Sequence, residues 1–255
     1  MLDQNTDRMW YVIGALVVGA GIILLANRTM PEVFANVLDS FEQVSDEGVK
    51  VISSFMPEVD ENGDTNAIFF KWDTVQAGGK DAVAITKYQY FGPTEISIPD
   101  KIDGKPVVSI SDGAFSQTHI TKIQMPSTIT SIDNNAFKRS SIESVTFSNN
   151  ITEIGDNAFQ YTKLKEITLP NKLTTIGRQA FNNSPLEKVQ FNEGLKTIKE
   201  EAFTYTNIER ITLPSTIESI AKGSFNYSPL NHITVPKSVV IPEGTFASYV
   251  EFVKI

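Results

Sequence analysis

The 255-residue chain carries 22 basic and 30 acidic side chains, a formal net charge of −8, and no cysteine. Without cysteine there can be neither disulfide bonds nor thiol catalysis, and an acidic chain with no basic stripe argues against a nucleic-acid partner. Residues 1–80 hold 12 acidic and 5 basic side chains, whereas residues 81–255 hold 18 and 17. The acid excess therefore lies in the first third of the chain, and the remainder is nearly neutral.

The first predicted element is a transmembrane or hydrophobic helix over residues 1–28. Trp10–Ala26 is a run of 17 residues without a charge, which is at the short end of the length needed to span a membrane. A cleaved signal peptide fits less well, because two acids and one base precede the run and no A-x-A site follows it. A buried soluble helix is the other alternative. Trp10 would lie at the start of the membrane helix, with Ala15 and Gly19 as a pair of small residues for helix packing.

An amphipathic helix is predicted over residues 29–56. Thr29-Met-Pro-Glu32 is a capping-box pattern with proline in the first turn, and apolar residues then recur at helical spacing. Pro57 favours an end of the helix at that point. The apolar face needs a partner, which is the membrane surface, a neighbouring copy or the first repeat. An acidic linker is predicted over residues 57–68.

An internal repeat begins after this linker. Six phenylalanines stand 22 residues apart, and a seventh follows one residue early: Phe115, Phe137, Phe159, Phe181, Phe203, Phe225 and Phe246. The residue before each is alanine, serine or threonine. Positions 5, 8, 10 and 14 residues after the first six are apolar in every copy. A fixed period of this length is typical of a solenoid, in which stacked units share one core.

Each repeat is predicted to contribute one short strand and one helical turn. The alternation Ile-x-Leu before a proline indicates a strand, and stacked strands form a parallel sheet with a spacing of about 4.8 Å. The segment Gly155–Phe159 and its equivalents are predicted to be helical turns that carry phenylalanine into the core. Polar residues 7 and 9 positions after phenylalanine must then face outward. From them we predict a binding face of Lys122, Gln124, Glu166, Thr168, Lys188, Gln190, Arg210, Thr212 and His232.

A second candidate row consists of tyrosines. Tyr161, Tyr205 and Tyr227 stand two residues after their phenylalanines. Aromatic side chains in a line are candidate binding anchors. The alternative, which ordinary surface statistics favour, is that they cover the core beneath the turn.

The repeat resembles a known family, the BspA-like class of bacterial leucine-rich repeats. The residues that carry the resemblance are Leu164-x-x-Ile167-Thr-Leu169-Pro170-x-x-Leu173-x-x-Ile176-Gly177-x-x-Ala180-Phe181. It covers about residues 69–255 and implies an N-terminal cap with the first strand over 69–110 and a leucine-rich-repeat solenoid over 111–255. Within the cap, Phe69 to Tyr88 is predicted to be a hairpin that turns at Gly78-Gly79. Val250–Ile255 is predicted to be the last strand.

The resemblance implies a bacterial cell-surface protein that binds other proteins or mediates adhesion. We therefore expect a membrane-anchored surface protein whose solenoid binds a protein or a surface glycan, with the membrane contacted through residues 10–26. The alternative is a pilin-like subunit of an extracellular filament, with the N-terminal helices packed as a homo-oligomer in the core and the repeats displayed outside.

Catalysis is not expected. His119 and His232 are five repeats apart, too far to converge on one site at about 4.8 Å per strand. Asp60–Asp64 resembles the start of a calcium loop, but Thr65 and Lys71 occupy the positions that require glycine and glutamate. No metal site or cofactor is therefore predicted.

Overall fold

A computed structural model describes residues 62–90, 92–243, 245–246 and 250–254. The predicted membrane helix, the amphipathic helix and most of the acidic linker lie outside these residues. Within the described ranges, no helix has the length and apolar character needed to cross a membrane.

The described elements are a 3₁₀ helix, Ala67–Phe69, and a series of mostly very short strands. The strands are β1 (Phe70–Ala77), β2 (Lys80–Tyr88), β3 (Glu95–Ser97), β4 (Lys101–Ile102), β5 (Lys105–Ile110), β6 (Lys122–Gln124), β7 (Ser131–Ile132), β8 (Ser144–Thr146), β9 (Glu153–Ile154), β10 (Glu166–Thr168), β11 (Thr175–Ile176), β12 (Lys188–Gln190), β13 (Thr197–Ile198), β14 (Arg210–Thr212), β15 (Ser219–Ile220), β16 (His232–Val235) and β17 (Glu251–Lys254).

Each repeat, here called a rung, contributes two strands rather than the single strand predicted. The second strand has only two residues and joins a nine-stranded sheet, the long sheet, in the order β1-β2-β5-β7-β9-β11-β13-β15, with β4 paired to β5. The first strand of each rung belongs to a row of shorter sheets, β3-β6-β8, β10-β12 and β14-β16-β17, which together form the strand face. Pairing between rungs is parallel and in register, as Glu166 opposite Lys188 illustrates. The predicted parallel solenoid is therefore confirmed.

The segment around each phenylalanine is a tight turn that does not continue as a regular helix. In most rungs the residues two before and two after phenylalanine have positive φ, for example 56° at Asn157 and 58° at Tyr161. This backbone directs N–H groups along the solenoid axis, so that Asn157, Phe159 and Tyr161 donate to carbonyls of the next rung at 2.8, 2.7 and 3.0 Å. The turn thus acts as a third hydrogen-bonded face of the stack, and it satisfies backbone groups that would otherwise be buried without partners.

The phenylalanines form a continuous stack of rings through the core. Consecutive rings from Phe115 to Phe225 lie 4.9–5.3 Å apart with interplanar angles of 5–14°. The stack is extended by Tyr88 at one end, 5.4 Å from Phe115, and by Phe246 at the other, 5.5 Å from Phe225. Offset stacking of this kind adds to the apolar burial of each ring. The prediction that phenylalanine points into the core is confirmed for the six rungs from Phe115 to Phe225, and Phe246 is partly buried against the end of the stack.

The N-terminal end of the stack is closed by the predicted hairpin. Strands β1 and β2 pair antiparallel, and the chain turns at Gly78-Gly79, where both glycines have positive φ. The end of the predicted linker also packs on the solenoid, because Thr65 is buried and its amide donates to the Ser97 carbonyl at 2.8 Å. Its hydroxyl in turn accepts a bond from the Ser97 amide at 2.9 Å. The end of the predicted linker is therefore held against β3 by two hydrogen bonds to the Ser97 backbone.

A row of serine and threonine hydroxyls, three residues after each phenylalanine, offers a matched test of this packing. Ser184 Oγ donates to the Phe159 carbonyl at 2.7 Å and bonds Thr162 Oγ1 at 2.8 Å. Ser140 Oγ occupies the same position two rungs earlier, and no hydrogen-bond partner is found for it among the described residues.

We expect Ser184→Ala to lower the free energy of unfolding by about 1 kcal/mol, the usual net contribution of a hydrogen bond, because Thr162 Oγ1 still donates to the Phe159 carbonyl at 3.0 Å. We expect Ser140→Ala to be nearly neutral, because no bond is lost. Chemical denaturation of both variants measures the difference. Equal losses of unfolding free energy would show that the hydrogen bonds of Ser184 do not stabilise the fold.

Candidate functional site

The strand face presents the residues predicted to bind. In β6, β10 and β14 the central isoleucine is buried and its two neighbours are exposed. The same pattern holds in β8 and β12, except that Val145 and Val189 are half-buried. The exposed members are the predicted residues Lys122, Gln124, Glu166, Thr168, Lys188, Gln190, Arg210 and Thr212. The structure thus brings these residues together on one surface, in columns one rung apart.

Charges on this face are partly paired along the columns. Lys188 Nζ lies 3.1 Å from Glu166, and Lys122 Nζ lies 3.6 Å from Glu95. Both pairs are well exposed, so each adds little to stability. Arg210 lies one rung beyond Lys188 and has no carboxylate within salt-bridge distance in the described ranges. The charged column therefore combines paired side chains with the Arg210 guanidinium, which has no carboxylate partner among the described residues.

His232 is less accessible than predicted. Strand β17 adds to β16 and places Glu251 opposite His232, with 3.1 Å between Nδ1 and the carboxylate. Its side chain is 24% exposed as a result. The sequence predicted this last strand, which the structure shows over Glu251–Lys254, but not its contact with His232, because β17 departs from the 22-residue spacing. His232 therefore belongs to the margin of the strand face.

The tyrosine row lies along one edge of the solenoid. We call the residues two positions after phenylalanine the rim: Gln117, Arg139, Tyr161, Asn183, Tyr205 and Tyr227. The tyrosines are 45%, 52% and 73% exposed in chain order, so a large part of each side chain is accessible to a partner. Tyr205 and Tyr227 stack at 4.7 Å, and Arg139 lies 5.1 Å from the centre of the Tyr161 ring.

Positive φ makes tyrosine and arginine unusual choices on the rim. Tyr161, Tyr205, Tyr227 and Arg139 have φ between 54° and 60°, a region that glycine and asparagine adopt at less cost. The hydrogen-bond ladder of the turn imposes this backbone whatever the side chain is. Arg139 and Asn183 were missed as site residues from the sequence, although their position two after phenylalanine was the available signal.

The two histidines lie on different elements. His119 follows the first turn, and its Nε2 lies 2.8 Å from the Gly92 carbonyl, with Tyr90 packed edge-on at 5.5 Å. His232 contacts Glu251 on the strand face. Within the described residues no group of histidine or acidic side chains is arranged to hold a metal ion.

Asp133, beside the long sheet, has a perturbed acidity. Partial burial raises the pKa of its carboxyl, and the nearby carboxylates of Asp112 and Glu153 raise it further. A pKa higher in the folded chain than in the unfolded chain means that protonation favours folding. The contribution of protonated Asp133 to the free energy of unfolding is present at low pH and is lost as the pH rises through the raised pKa.

We therefore expect Asp133→Asn to raise the melting temperature slightly at neutral pH, with a stability change within the roughly 0.5 kcal/mol usual for surface positions. The gain should shrink as the pH falls toward the raised pKa, because wild-type Asp133 then becomes neutral too. Thermal unfolding at a series of pH values measures this, and a gain that does not vary with pH would contradict the assignment.

Comparison with known proteins identifies the family. The BspA type leucine rich repeat region matches six copies across residues 85–207 and 130–252. The chain therefore belongs to the BspA-type leucine-rich-repeat family. No curated protein matches the chain.

Three solved structures are similar to parts of this chain. The pneumococcal vaccine antigen PcpA is 26% identical with a TM-score of 0.60, over 67% of this chain and 49% of that one. A leucine-rich repeat protein of T. pallidum is 23% identical with a TM-score of 0.49, over 68% and 71% of the two chains. A leucine rich cell surface protein of Faecalibacterium prausnitzii is 23% identical with a TM-score of 0.46, over 64% and 52%. The chain thus spans about half of the pneumococcal protein.

Proposed function

We propose that this protein is a membrane-anchored bacterial surface protein whose solenoid binds another protein through the strand face. The observation that carries the proposal is the ordered array of exposed polar side chains on that face, held at fixed spacing by in-register rungs. A solenoid surface of this kind is extended and suits macromolecular partners. Membership of the BspA-type family and the likeness to a pneumococcal antigen support display at the cell surface.

The chemistry of the face favours a protein of mixed charge. One column of the face contains lysine, arginine and glutamate, and the column beside it contains threonine and glutamine. Such a surface complements a partner that carries both signs of charge, and it would repel part of any uniformly charged polymer. A surface glycan remains the second candidate partner, since the same hydroxyls and amides hydrogen-bond to sugars. We propose binding rather than catalysis, because among the described residues His119 contacts a backbone carbonyl, His232 contacts one exposed carboxylate, and the two histidines lie five rungs apart.

Anchoring through residues 10–26 is the second part of the proposal, and the uncharged run Trp10–Ala26 supports it. The filament subunit is the alternative, since the same helix could pack in a fibre core. Fractionation of cells distinguishes them. We expect full-length protein in the membrane fraction, extracted by detergent as single molecules. Protein free in the medium with its N terminus near Asn27 would contradict the anchor, and fibres in sheared-cell supernatant would establish the alternative.

Binding itself is tested by adhesion of cells that display the protein to host cells or matrix. We expect adhesion to exceed that of cells lacking it, and purified protein to compete. No difference between the two cell types across a panel of protein and glycan surfaces would contradict the proposed function.

A further inference from the structure

Two rim tyrosines, Tyr161 and Tyr205, lie two rungs apart, and each has a side chain from its outer neighbour against its ring. Arg139, one rung before Tyr161, lies over that ring at 5.1 Å from its centre. Tyr227, one rung after Tyr205, covers that ring at 4.7 Å and an interplanar angle of 7°. One face of each tyrosine ring is therefore covered by the neighbour farther from the other tyrosine. The second face of each ring points toward the rung that lies between Tyr161 and Tyr205.

The rung between them carries Asn183, which leaves the space open. Its side chain is too short to reach the outer parts of the rings, and its amide turns back to donate to Asn182 Oδ1 at 2.5 Å. The stack of aromatic side chains along the rim is interrupted there. Tyr161 and Tyr205 remain 45% and 52% exposed.

The width of the gap is set by the rungs themselves. Phe159, Phe181 and Phe203 belong to the three rungs concerned, and successive rings are 5.3 Å apart. Tyr161 and Tyr205 are thus separated along the axis by roughly twice that distance. A flat ring placed midway would lie at a normal stacking distance from both, since aromatic centroids in contact lie about 4.5–7 Å apart.

We propose that this slot, bounded by Tyr161 and Tyr205 above Asn183, binds an aromatic side chain of the partner protein. The inference deepens the proposed function and rests on it for the source of the aromatic residue. Tyrosine and arginine at an exposed position are the residues that most often dominate the energy of protein interfaces. Their presence on a backbone that favours glycine or asparagine fits a role at this surface.

The charge of the edge argues against a cation in the slot. Positions one, two and four after phenylalanine carry no carboxylate in any of the six rungs from Phe115 to Phe225, whereas Lys138, Arg139 and Lys163 are basic. A lysine or arginine of a partner would be attracted by the ring faces but repelled by these neighbours. The favoured occupant is therefore a neutral aromatic side chain and not a lysine or an arginine.

A titration of the full-length protein in detergent tests the slot. N-acetyl-tryptophanamide is added and chemical shifts are followed by NMR. We expect shifts at the side-chain amide of Asn183 and the ring signals of Tyr161 and Tyr205, larger than those caused by N-acetyl-leucinamide. Equal shifts with the leucine amide, or shifts with N-acetyl-argininamide or methyl glucoside but not with the tryptophan amide, would overturn the proposal.

Variants locate the binding. Asn183→Tyr fills the slot and should abolish the shifts while the fold is kept, because tyrosine already occupies this position and backbone conformation in the neighbouring rungs. Asn183→Gly leaves the slot open and should retain them. Tyr161→Ser removes one wall and should also abolish them, which provides a second test if Asn183→Tyr fails to fold. Shifts that persist in a folded Asn183→Tyr or Tyr161→Ser variant would place the probe elsewhere and overturn the proposal.

The slot and the strand face are tested separately. Lys188→Glu with Arg210→Glu changes the strand face and should leave the tryptophan-amide shifts unchanged. If the tryptophan amide causes no shifts, the slot proposal is wrong. Adhesion through the strand face is then still tested by the adhesion assay alone. Loss of adhesion in the strand-face variant with an intact titration would leave the slot in place.

Discussion

Replacing Phe159 with alanine is expected to lower the free energy of unfolding by about 3–5 kcal/mol, the usual cost of deleting a buried phenylalanine. The ring is fully buried and lies 4.9 Å from Phe137 and 5.3 Å from Phe181. Phe147 also packs edge-on against it at 5.7 Å. The substitution removes one member of the ring stack and leaves a cavity between two rungs that depend on each other for their core.

Thr168→Ala is the matched control for this prediction. Thr168 is exposed on the strand face, and its hydroxyl makes a long 3.4 Å contact with Gln190. The expected loss is under about 0.5 kcal/mol, as for other surface changes. Urea denaturation followed by circular dichroism measures both variants. If the two variants lose similar free energies of unfolding, the assignment of Phe159 to the core and of Thr168 to the surface is incorrect.

The second large effect is expected in binding. Lys188→Glu combined with Arg210→Glu reverses two charges in adjacent rungs of the strand face. We expect adhesion to weaken at least about tenfold, which corresponds to about 1.4 kcal/mol. The melting temperature should change little, because the Lys188 pair with Glu166 is exposed and such pairs contribute little to stability.

A control with the same change in net charge separates a local contact from long-range electrostatics. Lys172→Glu with Lys196→Glu reverses two exposed charges away from the strand face, where Lys172 contacts Asn150 and Lys196 pairs with Glu218. Adhesion of this variant should stay close to that of the wild type. If both double variants lose adhesion equally, the strand face is not the specific contact.

The core and the outward rows were predictable because they depend on a strict period. The phenylalanine spacing and the apolar positions after it determine which side chains stack between rungs, and the structure buries Ile120, Leu164 and Leu186 accordingly. The two-residue strands of the long sheet were missed. A two-residue strand such as Thr175–Ile176 is too short for alternation to show in the sequence, and pairing with the neighbouring rungs forms it.

The rim could not be predicted because its geometry comes from the turn. Glycine and asparagine at Gly113, Asn135 and Gly223 hinted at positive φ two residues before phenylalanine. Tyrosine and arginine two residues after it gave no such signal, since neither favours that backbone. The slot at Asn183 also depends on which ring faces of Tyr161 and Tyr205 are covered by their neighbours. The stacking of the rungs determines these contacts, and the sequence alone does not show them.

The most direct test of the account is lysine footprinting of the full-length protein while it is bound to a surface that supports adhesion. Lys122, Lys188 and Lys196 have similarly accessible side chains, at 56%, 73% and 54% exposure, but only the first two lie on the strand face. The account predicts that binding slows acetylation of Lys122 and Lys188 and leaves Lys196 unchanged. Protection of Lys196 with Lys122 and Lys188 still reactive would contradict it.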